Sequence, residues 1–377
     1  LPEPTISPNA DTQADDYFNT IIYTGDGNDD REITGVGFQP DWVWIKSRSR
    51  SDVNHILTDS ARGGDLPINS DGNYAESSQT NKVESFASDG FVFGQSVHSS
   101  VNANTSTYVA WNWKAGGPPT ATNSAGVGAT PTSGSVKIDG SNLGSALAGS
   151  IAATKITAKT TAGFSIVLYT GTGSNGTIAH GLSSAPTVIF IKDRSIASNW
   201  LAYVDASNAT KGRYFMNLNT NGAEFDNGAS GYFQGTAPSS TVISLNDSSY
   251  NTSGNNYLAY CWHDVVGYSK FGPYKGNSNA DGTYVHTGFS VKWLMIKKAS
   301  AGENWVIWDK ERDTFNVRDS YLIANTTAAE TVYGGVKVDF LSNGFKFRGN
   351  EQLINDSSNT FIYMAFAEQP FKYSNAK

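Results

Sequence analysis

The stretch Trp42-Val43-Trp44-Ile45-Lys46 has two counterparts in this chain, Val188-Ile189-Phe190-Ile191-Lys192 and Trp293-Leu294-Met295-Ile296-Lys297. All three are apolar runs that end in Ile-Lys, and short runs rich in β-branched and aromatic residues predict buried strands. Each run follows an aromatic residue and a Gly turn, at Tyr23-Thr24-Gly25, Tyr169-Thr170-Gly171 and Tyr274-Lys275-Gly276. The chain therefore contains an internal repeat with three copies.

Each copy ends on a similar strand, about 90 residues after its first aromatic residue, a length that can hold its own core. These closing strands are Tyr108–Trp113, Tyr257–Trp262 and Phe361–Phe366. The pattern favours an array of small domains over a solenoid of dependent repeats. We predict an extended N-terminal arm at 1–16, repeats at 17–115, 161–266 and 267–377, and a Gly/Ser/Thr/Ala-rich linker with one short strand at 116–160.

The local pattern predicts an all-β fold. Apolar runs of strand length are separated by Asp-Gly and Asn-Gly turns such as Asp89-Gly90 and Asn221-Gly222, which are typical of hairpins. No capped amphipathic helix is evident, so we predict a tandem array of three β-sandwich domains.

Residues present in all three copies are expected to belong to the scaffold. They are the lysines that end the apolar runs (Lys46, Lys192 and Lys297) and an aspartate that follows a later strand (Asp59, Asp205 and Asp309). An aspartate at the end of a strand can accept hydrogen bonds from the backbone of the following turn. We therefore interpret both sets as structural.

Charge and composition exclude several classes of protein. The net charge is −7 and Lys and Arg form no stripe, so we expect no nucleic-acid partner. No apolar run approaches the roughly 20 residues that span a bilayer, so we expect no membrane insertion. The single cysteine, Cys261, excludes an intrachain disulfide and a zinc site made of thiolates, and we predict no cofactor.

Two Gly- and Asp-rich loops resemble ligand motifs. Gly171–Gly176 matches the dinucleotide fingerprint G-x-G-x-x-G, but a strand follows it where a helix is required. The loop with Asp26, Asn28, Asp29 and Asp30 lacks the Gly and the bidentate Glu of an EF-hand. We predict a solvated hairpin tip and no metal site, with calcium as the alternative left open.

The sequence offers little catalytic machinery. Asp309 and Glu311 would face the same side of a strand at a spacing that glycosidases use, but Lys310, Arg312 and Asp313 surround them. A mixed cluster of this kind is typical of a solvated ion-pair patch. The five histidines form no closely spaced pair and no serine lies in a G-x-S-x-G elbow, so we predict that the protein is not an enzyme.

Aromatic residues are the remaining candidates for binding. Aromatic rings beside Asn, Asp and Ser are typical of faces that stack on sugar rings. The Gly- and Asn-rich middle of the second repeat holds four such candidates for glycan binding, Tyr214, Phe225, Tyr232 and Phe233.

Several phrases of the chain resemble a known family. They are Leu1–Asn9, Gly35–Arg48, Tyr108–Trp113, Thr161–Val167 and Gly267–Gly272. These motifs resemble the repeated domain of structural, tail-fibre-like proteins of marine bacteriophage particles. The resemblance covers almost the whole chain and implies concanavalin A-like, jelly-roll-type sandwiches, a location on the virion surface and no catalytic residues. The 116–160 insert and the charged Asp309–Asp313 segment depart from it and are where contacts with partners are expected.

The sequence and the resemblance together give a functional hypothesis. We expect a virion structural protein, a tail-fibre or surface-fibre component that presents or binds host-surface glycan. Its partners would be other virion proteins and further copies of itself, with a homotrimer expected because avidity strengthens weak sugar binding. The alternatives are a capsid decoration or head-fibre protein and a glycan depolymerase.

Overall fold

The computed structural model describes residues 5–6, 12–205 and 210–368. These residues form 28 strands, two one-turn α-helices and a short 3-10 helix. The predicted all-β class is confirmed.

The first repeat contains two sheets. Its main sheet has the order β1-β8-β3-β4-β5 and its small sheet has the order β2-β7-β6. A 3-10 helix at Ala14–Asp16 precedes them and helix α1 at Ser99–Asn102 precedes the closing strand. The strands are β1 (Phe18–Thr24), β2 (Glu32–Ile33), β3 (Trp42–Ser47), β4 (Ile56–Asp59), β5 (Gly63–Ile68), β6 (Val83–Ala87), β7 (Gly90–Phe93) and β8 (Thr107–Trp113).

The second repeat has a main sheet of nine strands in the order β10-β9-β11-β12-β19-β14-β15-β16-β17 and a small sheet of β13 and β18. The strands are β9 (Val136–Ile138), β10 (Ser141–Asn142), β11 (Ala153–Lys159), β12 (Phe164–Thr170), β13 (Gly176–Ala179), β14 (Val188–Asp193), β15 (Leu201–Val204), β16 (Tyr214–Asn217), β17 (Phe225–Asp226), β18 (Val242–Leu245) and β19 (Asn256–Trp262).

The third repeat has a main sheet in the order β20-β28-β22-β23-β24-β25 and a small sheet in the order β21-β27-β26. Helix α2 at Gln352–Asn355 precedes its closing strand. The strands are β20 (Ser269–Lys275), β21 (Tyr284–His286), β22 (Val291–Lys298), β23 (Val306–Asp309), β24 (Ser320–Ile323), β25 (Thr331–Val332), β26 (Val338–Leu341), β27 (Gly344–Phe347) and β28 (Thr360–Ala367).

The closing strand lies at the same place in each main sheet, between the opening strand and the Ile-Lys strand. This register pairs the first aromatic residue of each repeat with the aromatic residue that begins its closing motif. The paired rings stack with centroids 4.8–5.1 Å apart, in the pairs Tyr23–Tyr108, Tyr169–Tyr257 and Tyr274–Phe361. Cross-strand aromatic pairs stabilise a sheet, so they hold the two ends of each repeat together.

Alternate residues of each Ile-Lys strand face opposite sides of the main sheet. In the first repeat, Val43 and Ile45 pack with Phe91 and Phe93 of the small sheet. Trp42, on the other face, packs into a core that contains residues of all three repeats. The Ile-Lys strands of the other two repeats, β14 and β22, are likewise buried along their whole length, so each main sheet is apolar on both faces.

The shared core differs from the separate cores expected for the three repeats. Trp42 of the first repeat lies 5.4 Å from Trp262 of the second, and Trp113 lies 5.7 Å from Trp293 of the third, between ring centroids. The accessible surface is 13426 Å². One compact body of this mass exposes about 14,500 Å² and three separate bodies of a third of the mass about 19,500 Å². The repeats therefore form one body, while the predicted boundaries between them stay a prediction.

The insert at 116–160 contributes strands to the second repeat. β9 and β10 form a hairpin, and β9 pairs in parallel with β11, which joins the main sheet beside β12. Lys155 of β11 donates a hydrogen bond to the carbonyl of Ala61 in the first repeat, 3.1 Å away. Part of the predicted linker thus lies in the sheet and contacts the neighbouring repeat.

A buried asparagine holds the loop after each opening strand. Asn102, Asn251 and Asn355 are fully buried, and the side-chain oxygen of each accepts a hydrogen bond from a backbone N–H of that loop. Each lies six residues before the aromatic residue that begins the closing motif, a regular spacing that is not among the scaffold positions predicted above.

The same loops explain the glycines of the repeat. A Cβ atom on Gly171 would lie 2.2 Å from the carbonyl oxygen of Thr252, and Gly25 and Gly276 face backbone oxygens at 2.1 Å. Only glycine permits this approach of two backbones.

We expect Gly171→Ala to lower the free energy of unfolding by about 2 kcal/mol or more, because the backbone next to Thr252 must move. Urea unfolding followed by tryptophan fluorescence measures the change. Gly144→Ala is the matched control, since its Cβ would meet no atom within 4 Å. Equal stability of the two variants would contradict the close approach.

Candidate functional site

The repeated lysines lie at the junctions between repeats. Lys46, Lys192 and Lys297 are fully buried and donate hydrogen bonds to backbone carbonyls. Each also reaches a carbonyl of another repeat, and the pairs are Lys46 with Thr327 (2.9 Å), Lys192 with Asn73 (3.3 Å) and Lys297 with Asn221 (3.5 Å). The first repeat thus contacts the third, the second contacts the first and the third contacts the second.

Two further sets of hydrogen bonds follow the same cyclic order. Ring nitrogens join His55 to the carbonyl of Ile323 (3.0 Å), Trp200 to that of Asn69 (2.8 Å) and Trp305 to that of Asn217 (3.0 Å). Backbone N–H groups of Glu330, Glu76 and Glu224 donate to the carbonyls of Arg48, Arg194 and Ala299. The three repeats are therefore arranged as a closed ring with approximate threefold symmetry.

Buried ion pairs reinforce two of the three junctions. Asp59 binds Arg62 and accepts a hydrogen bond from the hydroxyl of Tyr260 in the second repeat, 2.8 Å away. Asp309 binds Arg312 in the same way and accepts from the indole N–H of Trp111 in the first repeat, 3.0 Å away. These two aspartates hold neighbouring repeats together, beyond the turn role expected from the sequence.

The third junction lacks this network among the residues that the structure describes. Met364 occupies the position of Tyr260 and Trp111 in the closing strand. Asp205 instead accepts a hydrogen bond from Tyr203 of its own repeat, at 2.6 Å, and pairs with Lys211. Met364 is buried in the shared core.

The four aromatic residues predicted to bind glycan lie together in the second repeat, but mostly inside it. Phe233 is fully buried against Tyr203, so it offers no surface to a ligand. Phe225 and Tyr232 are half-buried and pack against the same core. Tyr214 is half-buried in β16. The sequence did not reveal this burial because the segment lacks a strand-like period.

The carboxylates considered as catalytic or metal-binding groups form ion pairs and hydrogen bonds with other residues of the protein. Asp309 is buried in its ion pair, whereas Glu311 is exposed and lies 3.7 Å from Lys292, so the two do not form a catalytic pair. In the acidic loop, Asp26 accepts from Asn102 and Asp29 accepts from the backbone of Val97. Across the described ranges, no three His, Cys, Asp or Glu side chains are placed to share a metal ion.

The Gly171–Gly176 loop leads into strand β13, and its backbone is held by Asn251. Cys261 is fully buried, and burial raises the pKa of its thiol to about 12. Strand β13 stands where a dinucleotide site needs a helix, and the thiol of Cys261 is closed off from solvent. In the part of the chain that the structure describes, no helix is both long enough and apolar enough to cross a membrane.

The third repeat contains a cleft of about 550 Å³. It lies between the connection from β23 to β24 and the β26–β27 hairpin, and Ser290 and Glu368 line its side. Phe315 stands at its rim with 80% of its surface exposed. The size is typical of small-ligand pockets. The start of this connection, Asp309–Asp313, is the charged segment that departs from the repeat in sequence, whereas Phe315 lies outside it and is not among the predicted site residues.

Comparison with known proteins places the chain in a family. Residues 13–140 and 137–370 match the model of a family described as a domain of unknown function, DUF7483. The chain belongs to this family. No curated protein matches this DUF7483 chain, and no solved structure matches it.

The buried lysines predict how the stability of the protein depends on pH. Burial lowers the pKa of the Lys46, Lys192 and Lys297 ammonium groups to about 8. Above pH 8 the folded protein therefore loses protons that the unfolded chain keeps until about pH 10.4. Since the unfolded state then binds more protons, the contribution of these lysines to stability rises between pH 8 and 10.

We expect Lys46→Met to reduce the slope of unfolding free energy against pH in this window by up to about 1.4 kcal/mol per pH unit. Urea titrations at pH 8.0, 9.0 and 9.8 measure that slope. Lys211→Met is the control, since its side chain is 53% exposed. A slope identical to that of the unmodified protein would show that Lys46 is not desolvated at the junction.

Proposed function

We propose that this chain is a structural protein of a bacteriophage particle, a component of a tail fibre or another surface fibre that presents or binds host-surface glycan. The observation that carries the glycan part is the cleft of the third repeat. Its exposed aromatic ring, Phe315, and the polar side chains of Ser290, Ser342 and Asn343 suit the apolar face and the hydroxyl groups of a sugar. Its place on a virion rests on the resemblance of the repeat to phage structural proteins.

The closed ring supports a mechanical role. Buried lysines, ion pairs and tryptophan rings join each repeat to both of the others, so the three move as one body. A stiff body keeps a binding cleft in a fixed orientation at low conformational entropy. In this proposal each repeat is a concanavalin A-like sandwich, and the protein acts by binding and presentation without catalysis.

Homotrimerisation and contacts with other virion proteins are part of the same proposal. Fibres multiply weak sugar sites, and several copies of the cleft on one particle would act together. A single chain already has three repeats in a ring, which gives it the approximate symmetry of a threefold fibre.

Immunogold electron microscopy of intact particles, with an antibody against this chain, tests the location. We expect gold at the tail or at the tips of fibres, and an antibody against the major shell protein serves as the control for label on the head. Label spread evenly over the head would replace the fibre assignment by a capsid decoration protein. Particles without label would contradict a place in the virion.

A further inference from the structure

The cleft of the third repeat is formed by a segment that the first repeat lacks. The connection between β23 and β24 covers residues 310–319. The equivalent connection covers 205–213 in the second repeat and only 60–62 in the first. The extra residues carry Phe315, Asn316 and Arg318 to the edge of the small sheet. A surface built by residues outside the common scaffold is where a function specific to this repeat is expected.

The segment is held in one shape by hydrogen bonds. The side-chain amide of Asn316 donates to the carbonyl of Phe340 at 2.8 Å, and its oxygen accepts from the N–H of Phe340 at 2.9 Å. Arg318 and Val338 exchange backbone hydrogen bonds in both directions, each 2.9 Å long. The cleft is therefore preformed, which lowers the entropic cost of binding.

Arg318 is a buried cation that forms no ion pair, although Asp313, Asp339 and Asp309 lie close enough to act on its charge. It is 3% exposed, and its guanidinium lies 4.6 Å from the ring centroid of Phe340. Its hydrogen bonds go to the uncharged side chain of Asn316 and the carbonyl of Thr314, and its Nε has no hydrogen-bond partner. Within the described ranges, no carboxylate lies within 4.0 Å of it.

The other buried arginines show how this chain normally treats such a charge. Arg62 binds the carboxylates of Asp59 and Glu76, and Arg312 binds those of Asp309 and Glu330. A buried charge that is paired costs far less than one that is not. The unpaired guanidinium beneath the cleft is consistent with a site that receives its negative charge from a ligand.

The charged side chains that line the cleft include one more cation than carboxylate. Lys310 forms an ion pair with Glu368, and Glu368 also accepts a hydrogen bond from Ser290 at 2.8 Å. Two cations, Lys310 and Arg318, and one carboxylate thus line the cleft, which gives the lining a net charge of +1. The aspartates that act on Arg318 lie outside this lining. The two cations of the lining attract a bound anion, and the nearby aspartates offset part of this attraction.

We infer that this cleft binds a sugar that carries a carboxylate, such as a uronic acid unit of an acidic glycan. The carboxylate would lie over Arg318 and beside Lys310, the sugar ring would stack on Phe315, and Ser290 and Asn343 would contact its hydroxyl groups. Planar carboxylate and planar guanidinium are well matched in geometry. The inference rests on the proposed glycan function and specifies the class of glycan.

Isothermal titration calorimetry with the full chain tests the inference, with three trisaccharides as probes. They are galacturonic acid trisaccharide, the corresponding neutral galactose trisaccharide and a sulfated galactose trisaccharide. We expect the carboxylated probe to bind at least about tenfold more tightly than the neutral one at low salt, and this difference to shrink at 0.5 M salt because ions screen the charge. Equal affinity for the acidic and neutral probes, or preference for the sulfated one, would overturn the assignment.

Two variants locate the binding site. Phe315→Ala removes an exposed ring and should weaken binding of the carboxylated probe about fivefold or more. Tyr74→Ala removes a ring that is 60% exposed on the first repeat and should leave binding unchanged. Arg318→Gln should abolish the preference for the acidic probe, with Arg213→Gln as the control for loss of an arginine elsewhere. If Arg318→Gln does not fold, the comparison of Phe315→Ala with Tyr74→Ala alone decides whether the probe binds in this cleft.

The failure of this inference is distinguishable from failure of the proposed function. Gold label on fibres together with no binding of the carboxylated probe would overturn the acidic-sugar assignment and leave the fibre proposal standing. Tight binding of that probe by the chain, together with label over the head, would overturn the fibre proposal and support the inference.

Discussion

The main sheet of each repeat is apolar on both faces, and this constraint governs the rest of the structure. A small sheet covers the outer face, whereas the inner face packs against the other repeats through Trp42, Trp113, Trp262 and Trp293. Burying such rings contributes several kcal/mol in total, since each fully buried large side chain adds roughly 1.5–3 kcal/mol. The inner faces therefore close on one another, and the chain folds as a ring of three.

The buried polar contacts give that ring its order. An apolar core alone would tolerate several arrangements of the sheets, whereas the ammonium of each repeated lysine must reach its carbonyl partners. The ion-paired carboxylates of Asp59 and Asp309 fix the orientation of neighbouring repeats at two junctions. At the third junction the equivalent position of the closing strand is the apolar Met364. The approximate symmetry is broken again by the length of the connection that follows the Asp59 or Asp309 strand, three residues in the first repeat and ten in the third, where it lines the cleft.

The strands, their repeat and the all-β class could be predicted from the sequence, because apolar alternation and Gly turns are visible within a few residues. Closure of the ring could not be predicted in this way. A strand with two apolar faces has the same sequence pattern whether a hairpin or another repeat covers it. The scaffold role of Lys46 and Asp309 was predicted, but their contacts across repeats join residues far apart in sequence. Phe233 and Phe315 look alike in sequence, and only packing shows that the first is buried and the second exposed.

Small-angle X-ray scattering of the full chain tests closure of the ring most directly. One compact body of this length should have a radius of gyration of about 21 Å, whereas three separate units, each about 13 Å and joined end to end, should exceed roughly 30 Å. We expect the smaller value and a single-peaked distance distribution. A radius near the larger value would show that the repeats are strung out in a line and would contradict a shared core.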